Sequence, residues 1–166
     1  MRRPPVSTIA PTTRGTRSLR LHVALVCAVL SVAASAQTIG AATSLSFGSF
    51  IAGSGGTVTV TPIGGRATTG GVLTVGQGAG VAAAQFTVLG TANATYSITV
   101  PGDDIVLLND GNGHSMALNS FVSSPAGAGT LSGGGNQVIR IGATLIVGSN
   151  QVPGNYAGAF NVTVNY

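Results

Sequence analysis

Apolar and polar side chains alternate strictly at the C-terminal end of the chain. Small or polar residues separate four apolar or aromatic positions of one parity, which are Phe160, Val162, Val164 and Tyr166. A period of two is typical of a strand with one buried face. Because chain ends are usually loose and polar unless something holds them in place, an inward-facing Tyr166 predicts that the end of this strand is held.

The same alternation recurs from residue 44 onward, whereas helical periodicity does not. Gly, Asn, Asp, Ser and Pro separate the alternating segments, as expected for turns that need positive φ or local side-chain hydrogen bonds. We therefore predict an all-β, antiparallel, immunoglobulin-like sandwich of about eight to ten strands. The segments that carry this prediction, besides the C-terminal one, are residues 44–47, 57–62, 71–75, 85–90, 96–101, 104–108, 115–122 and 137–148.

A different pattern occupies the N-terminus. Residues 1–20 carry five arginines and no acidic residue, and an apolar run then leads to the small residues Ala34, Ser35 and Ala36. This order is typical of a secretory signal peptide, and roughly 14 apolar residues are fewer than the ~20 that a spanning helix needs. We predict a signal peptide at residues 1–36, cleaved after Ala36. A short N-terminal extension at residues 37–44 and one domain at residues 45–166 follow.

Removing the leader changes the charge of the protein. Residues 37–166 keep two arginines and three aspartates, so their net charge is 2 − 3 = −1, and they contain no cysteine. Nucleic-acid binding needs a basic face and is not expected, and no membrane association is expected after cleavage. Packing alone must stabilise the domain. So few charges favour a protein that packs against copies of itself or is attached to a cell surface.

Candidate chemical groups are sparse. The polar stretch 103–114 could supply oxygen ligands to calcium, but its Asp-Gly and Asn-Gly pairs favour a tight hairpin. His114 is the one histidine of residues 37–166, so a Ser/His/Asp triad could form in only one way, and no nucleophile-elbow motif accompanies it. We favour the hairpin and expect neither enzymatic activity nor a cofactor or metal.

The remaining candidates are isolated side chains. Arg66 lies in the glycine-rich segment 64–71, which predicts a solvated charge in a loop. Arg140 lies opposite the apolar face of its segment and is expected to point outward. Three tyrosines could stack against a sugar, although aromatic pairing inside the sandwich is the favoured interpretation. They are Tyr96, Tyr156 and Tyr166.

An ordered set of motifs resembles a group of exported proteins. The motifs are "LSFGSFIAGSGGTVTVTPIGGR" (45–66), "AAQFTVLGTANATYSITVP" (83–101) and "IRIGATLIVGSNQVPGNYAGAFNVTVNY" (139–166). Together they resemble a bacterial family of exported domains of unknown function, which is similar in turn to spore coat protein U domains and archaic chaperone-usher pilins. The resemblance implies a pilin-like sandwich that lacks one strand. A periplasmic chaperone and then the N-terminal extension of the next subunit would complete it.

The resemblance also implies roles for both ends of the domain. Residues 37–44 would be the donor segment, and the strand from Tyr156 to Tyr166 would border the gap that receives it. We therefore expect a secreted, non-enzymatic structural subunit of a pilus- or fimbria-like appendage or coat at the cell surface. The alternative is a self-contained extracellular adhesion or glycan-binding module, with Tyr166 paired within its own chain. The residues expected at the partner edge are Ile39, Tyr156, Phe160, Val162, Val164 and Tyr166.

Overall fold

The computed structural model describes residues 37–76 and 80–166, which form fourteen strands and no helix. The all-β prediction is therefore confirmed for the described residues. Every pairing among these strands is antiparallel, as also predicted. The predicted signal peptide lies outside the described residues. The strands are β1 (Thr38–Thr43), β2 (Ser46–Phe47), β3 (Phe50–Ile51), β4 (Gly56–Val60), β5 (Arg66–Gly70), β6 (Leu73–Thr74), β7 (Val81–Ala82), β8 (Ala84–Leu89), β9 (Thr95–Thr99), β10 (Val106–Asn109), β11 (Ser115–Ser124), β12 (Ala128–Thr130), β13 (Asn136–Val147) and β14 (Thr163–Asn165).

Strand β13 is the centre of a seven-stranded, curled sheet. One of its edges pairs with β11, which pairs with β10. Its other edge pairs first with β8 and then with β4, and these two strands continue to β1 and β5. Arg140 is exposed on β13, as predicted, because the alternation buries the opposite parity. The buried positions are Ile139, Ile141, Ala143, Leu145 and Val147.

Gly142 is the residue at which β13 changes partner. The pairing with β8 ends at Ile141, and the pairing with β4 begins at Ala143. A Cβ atom at position 142 would overlap the carbonyl oxygen of Val60. Only glycine lets the main chain of β4 approach this closely. The change of partner from β8 to β4 therefore depends on the absence of a Cβ atom at position 142.

Smaller groups of strands accompany the large sheet. The order β12-β9-β14 forms a three-stranded sheet, and two further pairs are β2-β7 and β3-β6. Buried apolar side chains form two clusters. Cluster 1 contains Val58, Leu118 and Leu145, and cluster 2 contains Val88, Ile98 and Ile139. No helix in the described ranges is long and apolar enough to cross a membrane.

The structure corrects two predictions. The described residues hold fourteen strands rather than eight to ten, because several pairings involve only two or three residues and are too short to show alternation. Arg66 lies in β5, so its assignment to a loop is wrong. Its Nη1 donates to the carbonyl oxygens of Phe47 and Ser49, each at 3.1 Å. Arg66 therefore joins β5 to the turn between β2 and β3.

Candidate interaction site at the C-terminal segment and strand β1

The C-terminal segment, residues 156–166, connects the large sheet with the three-stranded sheet. Near its start, the main chains of Ala157 and Asn109 exchange hydrogen bonds of 2.8 and 2.9 Å. Near its end, β14 pairs with β9. Residues 158–162 belong to no strand ladder. Side-chain packing must therefore hold the middle of the segment.

Phe160 supplies most of this packing. Its ring lies edge-on to that of Phe86, with centroids 6.3 Å apart, and 5.2 Å from the ring of Phe121. Phe160 packs against cluster 1, whereas Val162 and Val164 pack against cluster 2. The alternation predicted for these three positions is confirmed, and the segment bridges the two apolar clusters. The exposed residues between and beside them are Ala159, Asn161, Thr163 and Asn165.

Tyr166 departs from the expectation of an inward-facing aromatic. It follows the last residue of β14 and remains 44% exposed. Its hydroxyl nevertheless donates to the carbonyl oxygen of Leu89 at 3.3 Å, and its ring centroid lies 6.1 Å from that of Tyr96. Partial burial raises the pKa of Tyr166. The last side chain is therefore held by its own chain at the end of β8.

Tyr96 is the buried member of this aromatic pair. It lies across its register partner Gly129, where a Cβ atom would overlap the Tyr96 hydroxyl. That hydroxyl is buried and has no hydrogen-bond partner among the described residues. Burial, and to a lesser extent the neighbouring Tyr166, raises the pKa of Tyr96. The pairing of Tyr96 with Tyr166 agrees with the favoured interpretation of aromatic packing.

Tyr156 anchors the loop that precedes the C-terminal segment. Its hydroxyl donates to the carbonyl oxygen of Val152 at 2.8 Å and accepts a hydrogen bond from Nε2 of Gln151 at 2.8 Å. Its ring packs against cluster 1. Tyr156 therefore has a local structural task, and both functions of its hydroxyl are already occupied.

Strand β1 lies at the edge of the large sheet beside β8. Its main chain pairs with β8 from Thr38 opposite Leu89 to Thr43 opposite Gln85. Five of its six residues are exposed, and Ile39 retains 41% of its accessible surface. Main-chain hydrogen bonds thus provide most of its attachment. Its free edge carries neither a charge nor a proline, which are the usual protections of an edge strand.

The structure brings the start of this strand and the chain end together. A Cβ atom at Gly90 would lie 3.2 Å from Cγ of Gln37 and 3.3 Å from Cε1 of Tyr166. Ile39 and Tyr166 therefore lie near the same end of β8, whereas Phe160 packs farther along the C-terminal segment. Sequence reasoning missed this arrangement, because the local pattern of apolar and polar residues does not indicate that β1 and Tyr166 both contact β8.

A cleft of about 290 Å³ opens beside the unpaired part of the C-terminal segment. Its walls include Val100 at the end of β9, Ile105 before β10, and Phe160, Asn161 and Thr163 of the segment. Ile105 is 74% exposed, and none of the described residues that line the cleft is charged. Such a surface suits an extended peptide, which can use main-chain groups at the edge, or a neutral sugar.

The polar stretch 103–114 contains β10 and the turn at residues 110–114 that joins it to β11, so the predicted hairpin is confirmed. Oδ1 of Asp110 accepts backbone N–H groups of Asn112 at 2.8 Å and His114 at 3.1 Å, and Oδ2 lies 2.7 Å from Nδ1 of His114. The side-chain hydrogen bond with His114, followed by these backbone donors, lowers the pKa of Asp110 to about 2. The carboxylate therefore closes the loop.

The aspartates of this stretch do not converge on one point. Asp103 lies at the other end of β10, where its Oδ1 accepts the backbone N–H of Ser120 at 2.6 Å. In the described parts of the chain, no group of three or more His, Cys, Asp or Glu residues could share a metal ion. Asp103 and Asp110 therefore bind backbone N–H groups at opposite ends of β10.

Together these features define an all-β antiparallel domain. Its first strand, β1, is an exposed edge strand, and its C-terminal segment, residues 156–166, packs over the core. The chain belongs to the family described as Domain of unknown function (DUF4402), whose model matches residues 37–166. That match begins immediately after the predicted cleavage site. A search of curated proteins found no match.

Proposed function

We propose that the protein is a secreted, non-enzymatic structural subunit of a bacterial surface appendage or coat, which assembles by strand addition. The observation that carries this proposal is the attachment of β1. Its main chain pairs along β8 while five of its six residues stay exposed. A strand that contributes a ladder but little buried side-chain surface can be supplied equally well by another copy.

If β1 leaves its own subunit to pair with another copy, the edge of β8 is exposed and another strand must pair with it. Without β1, the free edge of β8 would present unpaired main-chain groups beside Leu89, which is already 45% exposed. Open edges of this kind promote association with other chains. We propose that a periplasmic chaperone covers this edge first and that residues 37–44 of a neighbouring subunit, including Ile39, cover it afterwards.

The C-terminal segment would form the other side of the acceptor. Residues 158–162 lie outside any ladder beside the uncharged cleft, so their main chain can accept an added strand. We propose that Tyr156, Phe160, Val162, Val164 and Tyr166 belong to this partner edge. Phe160 would keep the core closed during exchange, because it packs against both Phe86 and Phe121.

The finer description of the fold and the route of export belong to the same proposal. We propose an immunoglobulin-like, pilin-like sandwich, with the large sheet and the β12-β9-β14 sheet as its layers. Export would follow the general secretory route with cleavage after Ala36, and the subunit would pass through the periplasm to the cell surface. The arginine-rich leader and the match from residue 37 support this order.

Deleting residues 37–44 tests the proposal. We expect the intact protein to form polymers and the shortened protein to remain monomeric, as measured by light scattering after size-exclusion chromatography. A synthetic peptide of residues 37–44 should bind the shortened protein and raise its unfolding midpoint, because it restores the ladder with β8. A peptide of the same composition in scrambled order is the matched control. Polymers that form equally well without residues 37–44 would refute the proposal.

The pairing of β1 with β8 of its own chain favours a second function. In the described structure β1 satisfies the edge of its own β8, and the cleft beside Phe160 combines apolar, hydroxyl and amide groups. A self-contained adhesion or glycan-binding module would have this arrangement. It predicts that the intact protein is monomeric at every concentration and that neutral glycans bind in the cleft. An Asn161→Ala variant should then lose that binding.

A further inference from the structure

The loop from Asp110 to His114 contains the one Asn-Gly pair of the sequence, Asn112 followed by Gly113. This loop connects β10 and β11, and the proposed strand addition does not use it. Both residues of the pair are exposed, and a Cβ atom at position 113 would meet nothing within 4 Å. The pair is therefore open to reaction in the folded protein.

We propose that Asn112 is a site of spontaneous deamidation. In this reaction the backbone nitrogen of Gly113 attacks Cγ of the Asn112 side chain, its proton passes through water to the side-chain NH2 group, and that group leaves as ammonia when the Cγ–Nδ2 bond breaks. The resulting five-membered imide is then opened by water at either carbonyl, which yields aspartate or isoaspartate at position 112. Water is the only co-reactant, and no atom changes oxidation state.

The hydrogen bonds of the loop leave the reacting groups free. Among the described contacts, neither the Asn112 side chain nor the backbone N–H of Gly113 makes a hydrogen bond. Glycine also carries no side chain to obstruct ring closure. Both the electrophilic amide and the attacking nitrogen are consequently available.

Neighbouring residues with similar chemistry are engaged. Both carboxylate oxygens of Asp110, which also precedes a glycine, accept hydrogen bonds within the loop. Oδ1 of Asn119 accepts the backbone N–H of Asp104 at 2.9 Å, and its following residue is a serine. These hydrogen bonds thus distinguish Asn112 from Asp110 and Asn119, and the Asn-Gly pair distinguishes it from the other asparagines of the sequence.

The modification would change the loop in two ways. A second carboxylate would appear beside Asp110, and the net charge of residues 37–166 would change from 2 − 3 = −1 to 2 − 4 = −2. An isoaspartate would also lengthen the main chain by one carbon and disturb the hydrogen bond from the Asn112 backbone to Asp110. Ageing of the protein would therefore loosen the end of the β10-β11 hairpin.

Peptide mapping by mass spectrometry tests the proposal on the purified protein in mildly alkaline buffer. We expect the peptide containing position 112 to gain about 1 Da, with one ammonia released per chain, while the other asparagines persist. An Asn112→Gln variant should release no ammonia, because the longer side chain forms the ring poorly. Circular dichroism should show that this variant keeps the parent fold.

The unfolded protein provides the second comparison. Because the fold leaves the reacting groups free, deamidation in the native state should be slower than in urea by less than about tenfold. A folded protein in which Asn112 stays intact over about ten half-lives of the unfolded chain's deamidation would overturn the proposal. Faster loss of another asparagine in the folded protein would overturn it as well.

Discussion

Tyr96 and Tyr166 pack against each other, but their hydroxyls have different environments. The Tyr96 hydroxyl is buried and has no hydrogen-bond partner among the residues that the structure describes, whereas the Tyr166 hydroxyl donates to the carbonyl oxygen of Leu89. An unpaired buried polar group lowers stability, and a made hydrogen bond raises it. The two tyrosines should therefore respond in opposite directions to loss of the hydroxyl.

Tyr96→Phe should raise the free energy of unfolding by about 1 kcal/mol, and Tyr166→Phe should lower it by about 0.5 kcal/mol. The ring and its packing are retained in both variants, so each is the control of the other. Chemical denaturation measures both changes. Destabilisation by Tyr96→Phe would show that the buried hydroxyl has a partner, such as an internal water molecule.

Asp110 makes the hairpin loop sensitive to acid. Its folded pKa of about 2 lies below the ordinary value of 3.8, so the contribution of the carboxylate is present above the ordinary pKa. That contribution is lost as pH falls toward the folded pKa. We expect the protection of the Asn112 and His114 amides, measured by NMR relative to their intrinsic exchange rates at each pH, to fall over this range.

An Asp110→Asn variant should remove most of this pH dependence, because it cannot ionise. Asp104→Asn is the matched control, since the Asp104 side chain makes no hydrogen bond among the described contacts. Equal pH dependence in the parent and in Asp110→Asn would assign the effect to another group.

At the scale of elements, β13 organises the large sheet. Its twelve residues pair with three other strands, and Gly142 separates the partners along one edge. The alternation of apolar residues predicts that β13 is a strand and which face it buries. It does not predict the change of partner, because the close approach of β4 involves main-chain atoms far away in sequence.

Gly142→Ala should lower the free energy of unfolding by about 3 kcal/mol, because the new methyl group would overlap backbone that cannot move without breaking the ladder. Gly134→Ala is the matched control, since its Cβ would lie 3.6 Å from the nearest atom. The control should change stability by less than about 0.5 kcal/mol. Similar midpoints for the two variants would contradict the assigned role of Gly142.

The terminal elements show where local pattern and structure agree. The alternation of the C-terminal segment correctly predicts that Phe160, Val162 and Val164 face the core. Its prediction for Tyr166 is only partly correct, because Tyr166 follows the end of β14 and packs on one side against Tyr96 while 44% of its surface stays exposed. Residues 37–44 have a weak apolar face, and their place beside β8 depends on main-chain pairing that side-chain patterns do not encode.

The whole molecule uses hydroxyl and amide groups where most soluble proteins use charges. Hydroxyls of Thr57 and Thr69 lie 2.7 Å apart, and those of Thr59 and Thr144 lie 2.9 Å apart, so they join neighbouring strands of the large sheet. Ile146 is also partly exposed on this sheet, at 38%. A weakly charged surface of this kind accords with the proposed packing among copies, because little charge must be desolvated.

Arg66 shows how tertiary structure changes the meaning of a residue. Its glycine-rich neighbours are typical of a loop. The segment nevertheless forms β5, because every residue of β4, Gly56 to Val60, pairs with a residue of β5. Its guanidinium then reaches two carbonyl oxygens of the turn after β2. Neither partner is near Arg66 in sequence, so no local signal predicts this contact.

The sequence by itself determined the all-β class, the buried parity of β9, β13 and much of the C-terminal segment, and the tight turn after β10. These features follow from period-two alternation and turn chemistry, which act between residues close along the chain. Tertiary structure alone decided which strands pair, where β13 changes partner, how β1 and Tyr166 meet at β8, and where the cleft opens. Those features depend on the approach of distant main chains, whose hydrogen-bonding groups are the same at nearly every residue.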